Sequence, residues 1–167
     1  MSNAQFLQDL PIMPGYSATV PLIVGQSTTQ TSQAGAATSD VTGSSINIPK
    51  NFFGPGATFR FTLGGTKTGA NNAMVVHVSL GGTQVISLSA DDASAVDWAA
   101  TIIVAAKTTA AQRCIGTLDC LTAAPVADYA AGTVDMQAGG IIKAQIQSAH
   151  ANDTVTCEYC LVEYWQK

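Results

Sequence analysis

The residues of this chain that can act as acids, bases or nucleophiles near neutral pH are few and scattered. Its two histidines are His77, inside an apolar stretch, and His150, just before a predicted turn. A Ser/His/Asp site also needs a serine held in a tight turn, and the sequence has no Gly-x-Ser-x-Gly stretch. The adjacent acids Asp91 and Asp92 follow a predicted strand, where such pairs more often cap a turn than bind calcium. We therefore predict no catalytic residues and no enzymatic activity.

The cysteines do not have the spacing of a metal site. Cys114 and Cys120 are six residues apart on one predicted strand and share a face, whereas Cys157 and Cys160 are three apart on another and are expected on opposite faces. Zinc sites take paired cysteines from a tight turn so that both sulfurs converge. We predict neither a metal, nor another cofactor, nor a required disulfide, and we expect all four cysteines to pack as small apolar side chains.

The aromatic residues provide the one candidate for a ligand site. Trp98 begins a predicted strand, Tyr129 follows a proline turn, and Trp165 ends the last strand. One interpretation is structural, with Trp98 filling one end of the core and Trp165 anchoring the final strand. The alternative is that Trp98, Tyr129 and Trp165 are stacking platforms for a sugar ring.

The composition restricts the possible partners. Charged residues make up 11% of the 167 residues and the net charge is −4, with no basic run to neutralise a nucleic acid backbone. No apolar run approaches the roughly 20 residues of a membrane span, and residues 1–4 do not resemble a signal peptide. We expect no nucleic acid or membrane partner and a cytosolic site of synthesis. Small neutral side chains cover much of the sequence, as suits a subunit covered by its neighbours.

From Ile46 onward, short β-branched and aromatic runs alternate with turn signals. The pattern predicts strands at 46–48, 57–68, 73–80, 83–89, 96–107, 111–122, 141–148 and 153–165. Glycine and asparagine reach positive φ easily, so Gly64-Gly65, residues 69–72 and Gly81-Gly82 are predicted turns. The only helical candidates are single turns near 91–95 and 125–129. The expected fold is all-β, an antiparallel jelly-roll-like β-sandwich over residues 46–167, with under roughly 10% helix.

The first 45 residues differ from the rest and predict an extended N-terminal arm. Prolines at 11, 14 and 21 keep the backbone extended, residues 20–24 could form an edge strand, and residues 25–45 are a polar Gln/Ser/Thr/Ala/Gly tract. Such a tract cannot form its own core, so we expect water or another chain to satisfy its backbone. Large apolar side chains should carry most of the contact with a partner; these predicted arm anchors are Phe6, Leu7, Leu10, Ile12 and Tyr16.

Three segments resemble the small β-sandwich structural proteins of tailed bacteriophage virions. They are "FRFTLGGTKTGANNAMVVHVSLGGTQVISLSA", "VDWAATIIVAAKT" and "DTVTCEYCLVEYW", which together span the central and C-terminal parts of the chain. The resemblance is one of pattern. It implies a symmetric oligomer with no catalytic residues, located in the virion after assembly in the host cytoplasm.

Within that group, the resemblance favours a capsid cement or decoration protein. Its partners would be the major capsid protein or other virion subunits and further copies of itself, with a trimer preferred over a dimer. The alternative is a head or tail fibre module that binds a host receptor or glycan.

Overall fold

The computed structural model describes residues 21–69, 73–91, 95–121, 123–150 and 152–166. These residues form strands over 69% of their number and contain no helix, so within them the prediction of under roughly 10% helix is confirmed and no helix could cross a membrane. The strands are β1 (Leu22–Ser27), β2 (Thr31–Ala34), β3 (Thr38–Asp40), β4 (Ile46–Ile48), β5 (Ala57–Thr68), β6 (Met74–Leu80), β7 (Thr83–Ala90), β8 (Val96–Thr108), β9 (Ala111–Cys120), β10 (Val126–Gly132), β11 (Gly140–Ser148) and β12 (Thr154–Gln166).

The strands form two antiparallel sheets. The large sheet has the order β1-β12-β5-β8-β9-β10, and β2 also pairs with β12. The small sheet has the order β3-β11-β6-β7, and β4 also pairs with β11. The two sheets enclose one core, which confirms the predicted antiparallel β-sandwich.

Strand β5 shows how the sequence builds this sandwich. Phe59, Phe61 and Leu63 are fully buried, whereas Arg60 and Thr62 between them are only partly buried. This alternation places one face of the strand in the core and the other outside, as the period of two residues in a strand requires. Equally buried side chains of the small sheet complete the core, among them Val76, Val78, Leu88, Ile142 and Ile146. Each large apolar side chain removed from water stabilises the fold by roughly 1.5–3 kcal/mol.

The predicted strands from Ile46 onward are all present, with ends within two residues of the prediction. The helical turn expected near residues 125–129 is wrong, because Val126–Gly132 is strand β10, paired antiparallel with β9. Pairing along β9 satisfies backbone groups over seven residues. A single helical turn cannot do this. The other helical candidate lies largely outside the described residues.

Two glycine pairs have different roles. Gly81 and Gly82 have φ of 57° and 83° and connect β6 to β7 in a tight hairpin, as predicted. Gly64 and Gly65 are not a turn; they lie within β5.

Part of the predicted arm belongs to the sandwich itself. Strands β1 and β2 pair with β12, and β3 pairs with β11. The expectation that this polar tract needs water or another chain to satisfy its backbone is therefore wrong for these strands, since main-chain hydrogen bonds at a sheet edge do not require apolar side chains. The arm as a unit of residues 1–45 stays a prediction, because the anchors Phe6, Leu7, Leu10, Ile12 and Tyr16 lie outside the described residues.

A β-bulge interrupts strand β12 at Glu158. Cys157 pairs with Gly65 and Tyr159 with Gly64, so Glu158 is an extra residue with no counterpart on β5. The bulge shifts the inward and outward alternation by one position: Cys157 and Cys160 are both buried, while Tyr159 is exposed. The expectation that the two cysteines face opposite sides is therefore wrong, because regular alternation does not allow for an inserted residue.

Candidate functional site

Trp98 does not offer a surface to a ligand. It is 3% exposed and belongs to the core, where it lies on β8 beside Cys120 of β9. A ring without an open face cannot stack on a sugar, so the structure contradicts its use as a platform and supports the interpretation in which it fills the core.

Tyr129 and Trp165 lie on the outer face of the large sheet but far from each other. Three strands separate β10 from β12, which corresponds to about 19 Å at the usual strand spacing. Each ring also has a cation beside it: the guanidinium carbon of Arg113 is 5.7 Å from the Tyr129 ring centre, and that of Arg60 is 5.7 Å from the Trp165 ring centre. The three predicted platforms therefore do not form one site.

His77 belongs to a polar network on the outer face of the small sheet. Its Nε2 lies 3.1 Å from Gln145 Oε1, and Ser79 Oγ donates to the same oxygen at 3.1 Å. Gln145 Nε2 in turn donates to Asp40, which also accepts from Lys143 at 2.7 Å. Burial lowers the pKa of His77 below its ordinary value, although the bond to Gln145 opposes this effect. Ser79 bonds to the amide and not to the imidazole, so the network is not a nucleophile and base pair.

His150 has a local role in the turn between β11 and β12. Its Nδ1 accepts a hydrogen bond of 3.2 Å from the backbone N–H of Asn152, and its carbonyl accepts one from the backbone N–H of Asp153 at 3.2 Å. Among the described residues, no group of three His, Cys, Asp or Glu side chains could hold a metal ion. Asp92, one of the two adjacent acids, lies outside those residues.

All four cysteines are buried in the core. Cys114 and Cys120 share the inward face of β9, as predicted. Burial raises the pKa of the Cys114 thiol to about 11, and burial raises those of Cys157 and Cys160 to about 11 and about 12. These side chains therefore stay protonated at neutral pH, where the thiolate needed for nucleophilic or redox chemistry is scarce.

A groove that the sequence did not indicate opens beside the bulge of β12. Strand β1 pairs with residues 160–164 of β12 and β2 pairs with residues 154–157, so neither covers residues 158 and 159. The groove in this gap has a volume of about 530 Å³. It is lined by Gln26, Ser27, Thr28, Thr29, Tyr159, Cys160 and Leu161.

Tyr159 lines the groove, and its ring lies across β5. A Cβ atom on Gly64 would collide with the Tyr159 ring and hydroxyl, so only glycine leaves room for the ring in this position. Tyr159 remains 44% exposed. Two hydrogen bonds fix the bulge beside it: Thr66 Oγ1 donates to Glu158 at 3.2 Å, and Cys157 Sγ donates to the Tyr159 carbonyl at 3.2 Å.

Sequence reasoning missed Tyr159 because unbroken alternation puts it on the face of Cys157, which is buried. The available signal was Gly64-Gly65 in the middle of a long strand. Glycines inside a strand often mark a bulge or the close approach of another group. Here they mark both: Gly65 pairs with the residue before the bulge and Gly64 lies under the ring.

No family model matches the chain, and no curated protein is significantly similar to it in sequence. Among solved structures, a seed lectin of Lotus tetragonolobus is similar with a TM-score of 0.50 at 9% identity, covering 88% of this chain and 94% of the lectin. The CBM2 module of an evolved Dit protein of Lactobacillus casei BL23 phage J-1 gives a TM-score of 0.37 at 14% identity, covering 74% and 69%. Lectin I-B4 from Griffonia simplicifolia, in its metal-free form, gives 0.38 at 11% identity, covering 81% and 92%. The similarity to the Lotus lectin shows a shared β-sandwich fold, and the fold alone.

Proposed function

We propose that this chain is a non-enzymatic module that binds a saccharide in the groove beside Tyr159. The observation that carries the proposal is the Tyr159 ring, which is laid across Gly64 and half exposed next to a row of hydroxyl and amide side chains. This combination of one aromatic face and several small polar groups matches the two chemical surfaces of a sugar.

The groove suits a pyranose ring in size and chemistry. One face of many pyranoses presents C–H groups that pack on an aromatic ring, while the hydroxyls at the rim need both donors and acceptors. Gln26, Ser27, Thr28 and Thr29 supply such groups. The volume of about 530 Å³ lies within the roughly 300–1,000 Å³ of small-molecule sites.

The lining of the groove supports binding without hydrolysis. Glycosidases place two carboxyl groups on either side of the scissile bond. Among the residues that the structure describes, those that line this groove include no Asp or Glu. The resemblance of the sequence to virion proteins supports placing the module on a phage head or tail fibre, where the saccharide belongs to the host surface.

The proposal is tested by glycan array and then by calorimetry with the best-bound monosaccharide. We expect Tyr159→Ala to weaken binding by about 5- to 30-fold, because stacking on one aromatic ring contributes roughly 1–2 kcal/mol. The matched control is Tyr129→Ala, another exposed tyrosine of the large sheet, which should bind as the wild type does. An array without any hit, or equal affinities for the Tyr159 variant and the wild type, would contradict the proposal.

Capsid cement remains the second candidate, and one feature of the surface favours it. The outer face of the large sheet carries mainly Ala, Thr and Ile along β8 and β9, and such a face loses little hydration when another subunit covers it. A cement role requires that particles stripped of this protein lose shell stability, whereas a fibre module can be removed without that loss.

A further inference from the structure

The outer face of β5, β8, β9 and β10 carries its charges at its two ends. Arg113 of β9 and Lys107 of β8 are exposed at one end, and Asp119 of β9 and Asp97 of β8 are exposed at the other. Between these ends, the charge of Arg60 is neutralised by Glu163 at 2.6 Å.

The charges are also evenly placed about one row of the sheet. Ile102 of β8 pairs with Gly116 of β9. Arg113 and Asp119 are each three residues from Gly116, and Lys107 and Asp97 are each five residues from Ile102. The face therefore has a basic half and an acidic half of matching dimensions.

Side-chain size follows the same division. The outward row on the basic side of the centre contains the larger residues Ile103, Ile115 and Tyr129, which are in register across β8, β9 and β10. The outward row on the acidic side contains Thr101, Thr117 and Ala127, which are also in register. One half of the face is raised and the other is recessed.

We propose that a second copy of this chain packs on this face about a two-fold axis that runs across the strands through the Ile102 and Gly116 row. This operation places the basic half of one copy over the acidic half of the other, so that Arg113 meets the partner's Asp119 and Asp119 meets the partner's Arg113. It also sets the row of Ile103, Ile115 and Tyr129 on the smaller side chains of the opposite row. Such a self-complementary surface is what a two-fold interface requires.

The charge pattern selects this axis over the alternative. A two-fold axis along the strands would place Arg113 and Lys107 over the same basic end of the partner, where like charges would repel. The area is sufficient: four strand spacings of about 4.8 Å and ten residues of about 3.4 Å give roughly 650 Å² for each copy, or about 1,300 Å² in total. Stable interfaces begin near 1,200 Å².

The arrangement goes beyond saccharide binding, and its centre lies away from that site. Tyr159 lies on β12, and β5 and β8 separate that strand from β9 at the centre of the proposed contact. Packed sheets cross at about 30°, so their corners diverge. The resemblance to virion proteins led us to expect a trimer, and the experiment that follows also tests for one.

The experiment is sedimentation equilibrium on the full chain and its charge variants. We expect the wild type to be a dimer and Arg113→Asp and Asp119→Arg each to raise the dimer dissociation constant at least about tenfold, because each places like charges together twice. An equimolar mixture of the two variants, and the double variant R113D/D119R, should both recover the dimer. Lys50→Asp, an exposed charge reversal in the loop after β4, should have no effect.

The recovery in the mixture distinguishes lost charge pairing from misfolding, since a variant that cannot fold would not dimerise with any partner. A monomeric wild type would overturn the proposal, since the face would then be covered by residues 1–20 of the same chain or by a different protein. So would a trimer, or single variants that associate as tightly as the wild type.

Discussion

Lys67 and Asp153 bring opposite charges together inside the sandwich. Their side chains are 0% and 1% exposed, and Lys67 Nζ lies 3.6 Å from Asp153 Oδ2. The Lys67 ammonium also donates to the Gly69 carbonyl at 3.4 Å. The pair connects the end of β5 to the turn before β12. Removing one member would leave the other charge in a poorly solvated place, which costs far more than the loss of a surface pair.

We therefore expect Lys67→Met to lower the free energy of unfolding by about 3–5 kcal/mol. The double variant K67M/D153L should lose less than the sum of the two single variants, because no lone charge remains buried. Urea denaturation measures all three. Lys143→Met is the control: its pair with Asp40 is partly exposed, and its loss should cost under about 1 kcal/mol. If Lys67→Met lowered the free energy of unfolding as little as Lys143→Met does, water would reach the Lys67 charge.

At the scale of elements, the bulge in β12 depends on the two glycines opposite it. A Cβ on Gly64 would meet only the end of the Tyr159 side chain, which can swing away. A Cβ on Gly65 would press on the backbone carbonyl of Thr156, which is fixed in the sheet between β2 and β5. The first contact defines where the ring lies, and the second holds the backbone of the bulge.

We expect Gly65→Ala to destabilise the protein by about 1–3 kcal/mol more than Gly64→Ala, because a backbone shift costs more than a side-chain rotation. Gly64→Ala should instead displace the Tyr159 ring and weaken saccharide binding. Urea midpoints and calorimetry separate the two effects. The reverse order of stabilities would show that the tyrosine ring, and not the backbone, is the rigid part.

The long strands could be predicted from the sequence, and the site could not. Phe59, Phe61 and Leu63 alternate with partly buried residues, and this period survives in the fold because one face meets the core. Strands β2 and β3 have polar sequences, and their pairing depends on main-chain groups that carry no sequence signal. The position of Tyr159 depends on one inserted residue, which reverses every assignment of faces along part of β12.

At the scale of the whole molecule, the first strands lie at the edges of both sheets: β1 at an edge of the large sheet and β3 at an edge of the small sheet. Val24 in β1 and Val41 just after β3 are 4% and 2% exposed and complete the core. A chain that begins at Ser45 would lose both side chains and three strands.

We expect this truncation to melt about 6–24 °C below the full chain, since two buried valines contribute roughly 3–6 kcal/mol and a domain of this size loses about 2–4 °C for each kcal/mol. A chain that begins at Pro21 keeps every described strand and should melt as the full chain does. If the predicted anchors Phe6, Leu7, Leu10, Ile12 and Tyr16 make the contact with a partner, this shorter deletion should weaken attachment to particles and leave the melting temperature unchanged. Equal melting of the Ser45 truncation and the full chain would contradict the role of β1 to β3 in the fold.

Strand β12 lies between β1 and β5, although residues 28–153 separate it from β1 in the sequence. On the ribosome, β1 must therefore wait for β12 with an open edge for about 6–25 s, and β5 for about 4–17 s, at about 5–20 residues per second. Long-range pairing of this kind also slows folding after release. A nascent chain arrested before β12 should be sensitive to protease and bound by chaperones, whereas the same chain extended past β12 should become resistant as the large sheet closes.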